Sequence, residues 1–321
     1  HKKGKHLNQF RRERASVGTR SKRARVIRIM KKIRESFVCN TPIAHRGLHE
    51  GVPENSRAAF TRAIEEKYAI EADVRRTKDG TLVIIHDDNL KRLTGEPGKV
   101  SETSWRDLSA MRLKGTQERI LTLEECLEHI DGKTPLLLEV KDLYTVKNFP
   151  EEVVRTMKQY RGEYALQSFN PFYVYKFKQM APEVLRGQLA MSIFSPDVLI
   201  SCRDTLEEFD VSPEIFAREG GLSRRQIKDA VAMAAEQSGF TDTHKHWKFD
   251  AWAIKTMIMN FITKPDFVSY CCYNLPYHRA KKKENRAVLT WTIRTQAEAE
   301  RLRPWVDNVI FENFRPGKTT N

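Results

Sequence analysis

Apolar residues follow two alternating rhythms along this chain. Short runs rich in Val, Ile and Leu occupy 42–45, 69–75, 81–86, 135–140, 164–168, 184–189, 266–270, 288–293 and 308–311, and runs of this length and composition predict strands. Between most of them, apolar residues recur every three or four positions, as on one face of a helix, over 56–67, 123–130, 150–160, 172–180 and 297–305. Strands that alternate with helices in this way predict βα units around a parallel sheet. About eight such units match the size of a closed (β/α)8 TIM barrel. The competing open, doubly wound sheet lacks its G-x-G-x-x-G after the first strand. The predicted fold is therefore α/β, a (β/α)8 TIM barrel over residues 41–321.

Two regions depart from the rhythm. Residues 190–264 are mostly helical in composition, with Ile227, Val231 and Ala234 at helical spacing within 223–236 and an apolar stretch at 251–262. They are too long for one crossover and predict a helical insertion. Residues 1–40 form a basic N-terminal arm. Its first 36 residues hold fourteen Lys and Arg against Glu13 and Glu35, a charge of +12, so the rest of the chain carries only +2 of the total +14. Arm and body are separate electrostatic objects, and the basic pI says nothing about nucleic-acid binding by the body. Val26, Ile27, Ile29, Met30 and Ile33 lie among the arm's cations, which predicts a short amphipathic helix resting on an anionic membrane through residues 1–36. Phe10 and Phe37 are the only aromatic residues there, which argues against nucleic acid as the partner.

Composition narrows the setting. A hydrophobic content of 40% is enough for a buried core. The longest apolar candidate, 252–262, is interrupted by Lys255 and falls short of the ~20 residues a spanning helix needs. Five cysteines (Cys39, Cys126, Cys202, Cys271 and Cys272) form no C-x-x-C, so a reducing, cytoplasmic location is expected, with membrane association through the arm. Cys271 and Cys272 read as a packed, reduced pair, and His244 and His246 as loop residues. The chain starts at His1 rather than Met and reads as a fragment or processed product.

Chemistry concentrates at strand ends, where a parallel barrel places its reactive groups. The first strand ends in His45-Arg46, the second carries Glu71 and Asp73, the third ends in His86-Asp87, and the fourth ends in Glu139-Val140-Lys141. A spacing of two puts Glu71 and Asp73 on one face, and likewise Glu139 and Lys141. Three converging carboxylates predict a hard divalent cation, Mg²⁺ or Ca²⁺, between them. With Arg46 and Lys141 the bare site is −1 and the metal-loaded site +1, so only the loaded site attracts an anion such as a phosphodiester. His45 and His86 are the candidate proton donors and acceptors.

These residues, together with Pro53-Glu54-Asn55-Ser56, Thr77-Lys78-Asp79-Gly80, Arg92-Leu93-Thr94-Gly95, Gln167-Ser168-Phe169-Asn170 and Thr290-Trp291-Thr292 in the same order, resemble the glycerophosphodiester phosphodiesterases. The resemblance implies a TIM barrel that hydrolyses a small-molecule glycerophosphodiester substrate to glycerol 3-phosphate and an alcohol, with a divalent metal, Ca²⁺ or Mg²⁺. It also implies His45 and His86 as the acid/base pair, Glu71, Asp73 and Glu139 as metal ligands, and Arg46, Glu54, Lys141 and Trp291 on the substrate and phosphate side. Ser56 replaces the family's usual Thr, and Arg294 stands where many members have Asn, which points to altered leaving-group contacts. Two alternatives use the same site: lysophospholipase D-type hydrolysis, with an acyl surface around 252–262, and a non-catalytic anion-binding barrel.

Overall fold

A computed structural model of the chain describes residues 31–141, 146–192, 247–281 and 286–317. Residues 1–30 of the arm, the helix predicted at 223–236, most of the expected insertion, and His244 and His246 lie outside the described residues. The strands in chain order are β1 (Ile43–Ala44), β2 (Ala69–Arg76), β3 (Leu82–Ile84), β4 (Leu121–Thr122), β5 (Leu136–Val140), β6 (Tyr164–Ser168), β7 (Leu185–Ala190), β8 (Phe267–Cys271), β9 (Ala287–Ile293) and β10 (Asn308–Phe311). Eight of them, all but β3 and β4, pair in parallel, and β1 pairs with both β10 and β2, which closes the (β/α)8 barrel.

The run at 81–86, predicted as one more parallel strand, is instead antiparallel. β3 folds back on the far end of β2, in the register Val74 to Ile84 and Arg76 to Leu82, and β4 pairs on its outer side. The reason is length. β2 continues past the point where its neighbour β5 ends, and its overhang offers backbone groups that a returning chain satisfies. His86, at the end of this return, therefore comes down to the barrel mouth from above.

Alternation along the staves sorts side chains into two populations. Outward residues such as Ile70, Ala72, Val74, Leu136 and Leu138 pack with the helices into the main core. Inward residues at the strand starts, including Ile43, Ala69, Leu137, Ala165, Phe267, Leu289 and Ile310, form a second apolar cluster that fills the barrel floor. Gly187 is needed in that layer, because a Cβ there would sit 2.1 Å from the Phe267 ring. Cys271 and Cys272 are both buried, as a packed pair requires.

The floor is closed by residues that composition assigned to the arm. Ile33, Phe37 and Val38 are buried and belong to the floor cluster. Asn308, the first residue of β10, donates from its amide to the carbonyls of Val38 (3.1 Å) and Thr41 (2.7 Å), while Arg34 pairs with Asp307. Burial of such side chains contributes about 1.5–3 kcal/mol each. Residues 31–40 are thus part of the barrel's packing, and the arm/domain boundary expected at 40 does not describe them. Helices cover the outside, several of them started by a side-chain cap: Ser56, in the place of the family's Thr, accepts from the Ala59 amide (3.2 Å) to start Arg57–Glu65, and Thr122 forms a capping box with Glu125 before Leu123–Ile130.

Candidate active site

The mouth begins where β1 ends. The His45 amide continues the ladder to Phe311 of β10 (2.9 Å). The next residue, Arg46, turns into the left-handed region at φ 55, a conformation that is strained for a bulky side chain and recurs at functional sites. The turn aims its backbone N–H at Glu71 Oε2 (2.9 Å) and its guanidinium at Glu54 Oε1 (2.8 Å). Gly47 follows at φ 81, and a Cβ there would lie 2.9 Å from the Ala59 backbone.

Glu71, Asp73 and Glu139 reach inward from β2 and β5, and one oxygen of each lies within 4.8 Å of the others. All three are buried. Burial, together with the charges of Asp73 and Glu139, pushes the Glu71 carboxyl well above its ordinary range. Burial likewise raises Glu139, against the pull of the Lys141 ammonium at 2.9 Å. For Asp73, burial is outweighed by Lys141, His86, Arg46 and a hydrogen bond from Asn55 Nδ2 (2.8 Å), so it is held low. The second Asp73 oxygen, Oδ1, is buried without a hydrogen bond, 3.4 Å from Lys141 Nζ. Three buried carboxylate oxygens, one lacking a donor and one forced toward protonation by its neighbours, are a donor set that fits a hard divalent cation.

Each histidine is fixed by a carboxylate. His86 Nδ1 lies 2.6 Å from Asp87 Oδ1. Asp87 also receives Arg92, and Arg92 forks onto Glu54 at 2.9 and 2.8 Å. A continuous chain of charges therefore runs from Arg46 through Glu54, Arg92 and Asp87 to His86. Burial pushes Glu54 up, but Arg46 and Arg92 hold it below the usual carboxylate range. An anion clamped between two guanidiniums orients both of them. His45 Nδ1 lies 2.8 Å from Glu312 Oε2, and Glu312 also binds Arg294 at 2.6 Å and approaches His49 Nε2 at 3.6 Å. Arg294 is thus paired with the same carboxylate that fixes His45. Burial and the charge of Arg46 lower both imidazoles, with Lys141 adding to the effect at His86. Burial raises Glu312 less than its histidine and arginine partners lower it, so it stays ionised.

Trp291 stands on β9, across the barrel from β5 in the strand order. Its indole N–H donates to the Ser269 carbonyl (3.1 Å), and its ring meets Phe169 edge-on at 5.7 Å. The mouth therefore has one charged wall and one aromatic wall. Of the residues expected from sequence, His45, Arg46, Glu54, Glu71, Asp73, His86, Glu139 and Lys141 form the connected charged wall, and Trp291 belongs to the other. Glu312 was missed, although it directly follows the last strand and the strand-end rule applies to it as well. Asn55 and Arg92 appeared within sequence motifs, but their contacts with Asp73, Glu54 and Asp87 were not readable there.

Comparison with known proteins places this geometry. Curated relatives include a glycerophosphodiester phosphodiesterase of Caldanaerobacter subterraneus subsp. tengcongensis, 37% identical over 158 residues that cover 46% of this chain and 65% of the relative. A putative glycerophosphodiester phosphodiesterase of Bacillus subtilis is 34% identical over 151 residues, covering 44% and 62%. The aligned region thus spans just under two thirds of these relatives' length. Among solved structures, an Oleispira antarctica phosphodiesterase in complex with the product sn-glycerol-3-phosphate aligns over 85% of this chain and 93% of its own, at a TM-score of 0.58 and 22% identity. The glycerophosphodiester phosphodiesterase of Thermotoga maritima aligns over 84% and 94%, at 0.52 and 19%. Both share the barrel fold. The model of the glycerophosphoryl diester phosphodiesterase family matches residues 45–314, from the first catalytic candidate to just beyond Glu312, and the chain belongs to that family.

Proposed function

We propose that the mouth hydrolyses glycerophosphodiesters to glycerol 3-phosphate and an alcohol, with His45 and His86 as the acid/base pair. The observation that carries this reading is the pairing of two histidines, each with Nδ1 fixed by a carboxylate, with one buried three-carboxylate cluster. Fixing Nδ1 leaves Nε2 of each ring to exchange a proton. One histidine takes a proton from the nucleophile, either water or the neighbouring glycerol hydroxyl, and the other gives one to the departing alcohol. Glu71, Asp73 and Glu139 would hold the divalent cation, Ca²⁺ or Mg²⁺, which when bound polarises the phosphoryl group. Arg46 and Lys141 supply the positive charge beside it that an anionic diester requires. Trp291 and Phe169 offer an apolar wall for the glycerol or alcohol portion.

Among the described residues, no side chain at the mouth favours the lysolipid alternative. Of the stretch 252–262 expected to form an acyl surface, Trp252 is exposed, Met257 is buried, and Phe261 lies at the opposite end of the barrel, just ahead of β8. The reading is tested by assaying glycerol 3-phosphate release from glycerophosphocholine, glycerophosphoethanolamine, glycerophosphoglycerol and a lysolipid, with and without chelator. Release from the soluble diesters that stops in chelator and returns with Ca²⁺ or Mg²⁺ is expected. No release from any of them would leave the anion-binding barrel, and full turnover by metal-free protein would remove the cation from the reading.

A further inference from the structure

We infer that the barrel floor beneath β8, β9 and β10 is a docking surface for an anionic lipid membrane, with the mouth turned away from the bilayer. Five large hydrophobic side chains are exposed among the described residues, and three are on this sector: Phe261 (68%), Ile262 (37%) and Trp305 (42%). Phe261 and Ile262 belong to the short helix Asn260–Thr263 that leads into β8, and Trp305 belongs to the turn that leads into β10. These strands flank β9 on its two sides, so the three side chains share one end of the barrel and neighbouring loops.

Charge on the same loops is positive. Lys264, Lys281 and Arg303 are exposed there. The two carboxylates among the described residues of these loops are already paired, Asp266 with Arg186 at 3.2 Å and Asp307 with Arg34. The chain upstream also leaves from this sector, because Lys32 donates to the Glu183 carbonyl ahead of β7 while Arg34 is tied to Asp307 ahead of β10. The thirty residues that precede Lys31 carry eleven Lys and Arg against Glu13 alone.

A surface that combines cations with exposed Phe, Ile and Trp matches the two layers of an anionic bilayer. The headgroups attract the cations within about a Debye length, and the acyl boundary takes the apolar side chains. A nucleic acid would use the charge but would leave Phe261 and Ile262 in water. Docking by the floor has a consequence for the mouth: it opens to the aqueous side, where it would meet water-soluble diesters rather than lipids of the bilayer it rests on.

The test is sedimentation of the full chain with phosphatidylcholine vesicles that contain or lack phosphatidylserine, at low and high salt. We expect salt-sensitive binding only to the vesicles that contain phosphatidylserine. Replacing Phe261→Ser together with Trp305→Ser should weaken it by about tenfold or more, and Lys264→Glu with Arg303→Glu should weaken it by a similar factor at low salt and less at high salt. None of these changes should alter turnover of soluble diesters, since none of the four residues touches the mouth. Absence of binding by the parent at low salt, or equal binding by the Phe261/Trp305 variant, overturns the inference. So does a parent that is dimeric by light scattering while this variant is monomeric, which would assign the face to a second copy of the chain. Binding is read without turnover, so an inactive but membrane-bound protein would count against the proposed reaction and not against the surface.

Discussion

The two ends of the barrel are built from the same eight strands, yet they solve opposite problems. At the floor, inward positions are apolar and residues 31–40 close the opening with Ile33, Phe37 and Val38. At the mouth, the next inward positions on the same strands are Glu71, Asp73 and Glu139, buried and crowded by their own repulsion. Ala69 and Asp73 are four residues apart on one strand, and one belongs to the packing while the other belongs to the chemistry. The contrast shows where destabilising groups are tolerated: carboxylates that oppose one another at one end are held by an apolar layer at the other.

The sharpest way to break the comparison is at a mouth histidine. His86→Ala should lower kcat by about 10²- to 10⁴-fold with little change in thermal unfolding, because its side chain contributes nothing to either apolar cluster. Retention of activity within a few-fold would return His86 to a structural role. The mirror experiment is Phe37→Ala at the floor, which should cost about 3–5 kcal/mol of stability while kcat of the folded fraction stays unchanged. A denaturant midpoint that does not move would show that residues 31–40 are not a structural floor.

A smaller effect is expected at Glu312. Glu312→Gln should lower kcat by about 10- to 100-fold, as for the loss of a partner that orients a histidine. Because the Glu312 charge raises the His45 pKa, its loss should also move whichever limb of the kcat/KM profile His45 governs to lower pH. A purely structural Glu312 would leave that limb where it is. The smallest effect sharpens the metal assignment. Glu71 must lose a proton to act as a ligand, and its pKa is raised by burial and by its two carboxylate neighbours. Affinity for Ca²⁺ or Mg²⁺ should therefore grow as pH rises through that elevated pKa and weaken as pH falls below it. Isothermal titration across pH checks this, and an affinity independent of pH would exclude Glu71 from the ligand set.

Legibility in the sequence followed physical locality. The staves were readable because strands buried on both faces are runs of Val, Ile and Leu, and the charged residues that interrupt those runs stood out for the same reason. Strand direction was not readable: 81–86 has the composition of a stave, and only the overhang of β2 makes it turn back. The floor segment was hidden by its company, since Ile33 lies between Lys32 and Arg34 and composition averaged over the arm describes only the cations. The links from Arg92 to Glu54 and from Glu312 to His45 span 38 and 267 positions, and such partners are set by closure of the barrel rather than by any local pattern.

That last distance has a consequence in time. Synthesis proceeds from the first strand to the last, so His45 emerges 267 positions before the carboxylate that fixes it, and β10, whose edge completes the ring, is the last of the strands to appear. Until then the ring is open at the β1 edge, the Asn308 tie to the floor segment cannot form, and His45 has no carboxylate to hold its ring. A nascent or prematurely terminated chain would carry Glu71, Asp73, His86 and Glu139 and still lack a working mouth. Closure of the ring is thus a precondition of the proposed reaction: the mouth is complete only once residue 312 has been made and β10 has met β1.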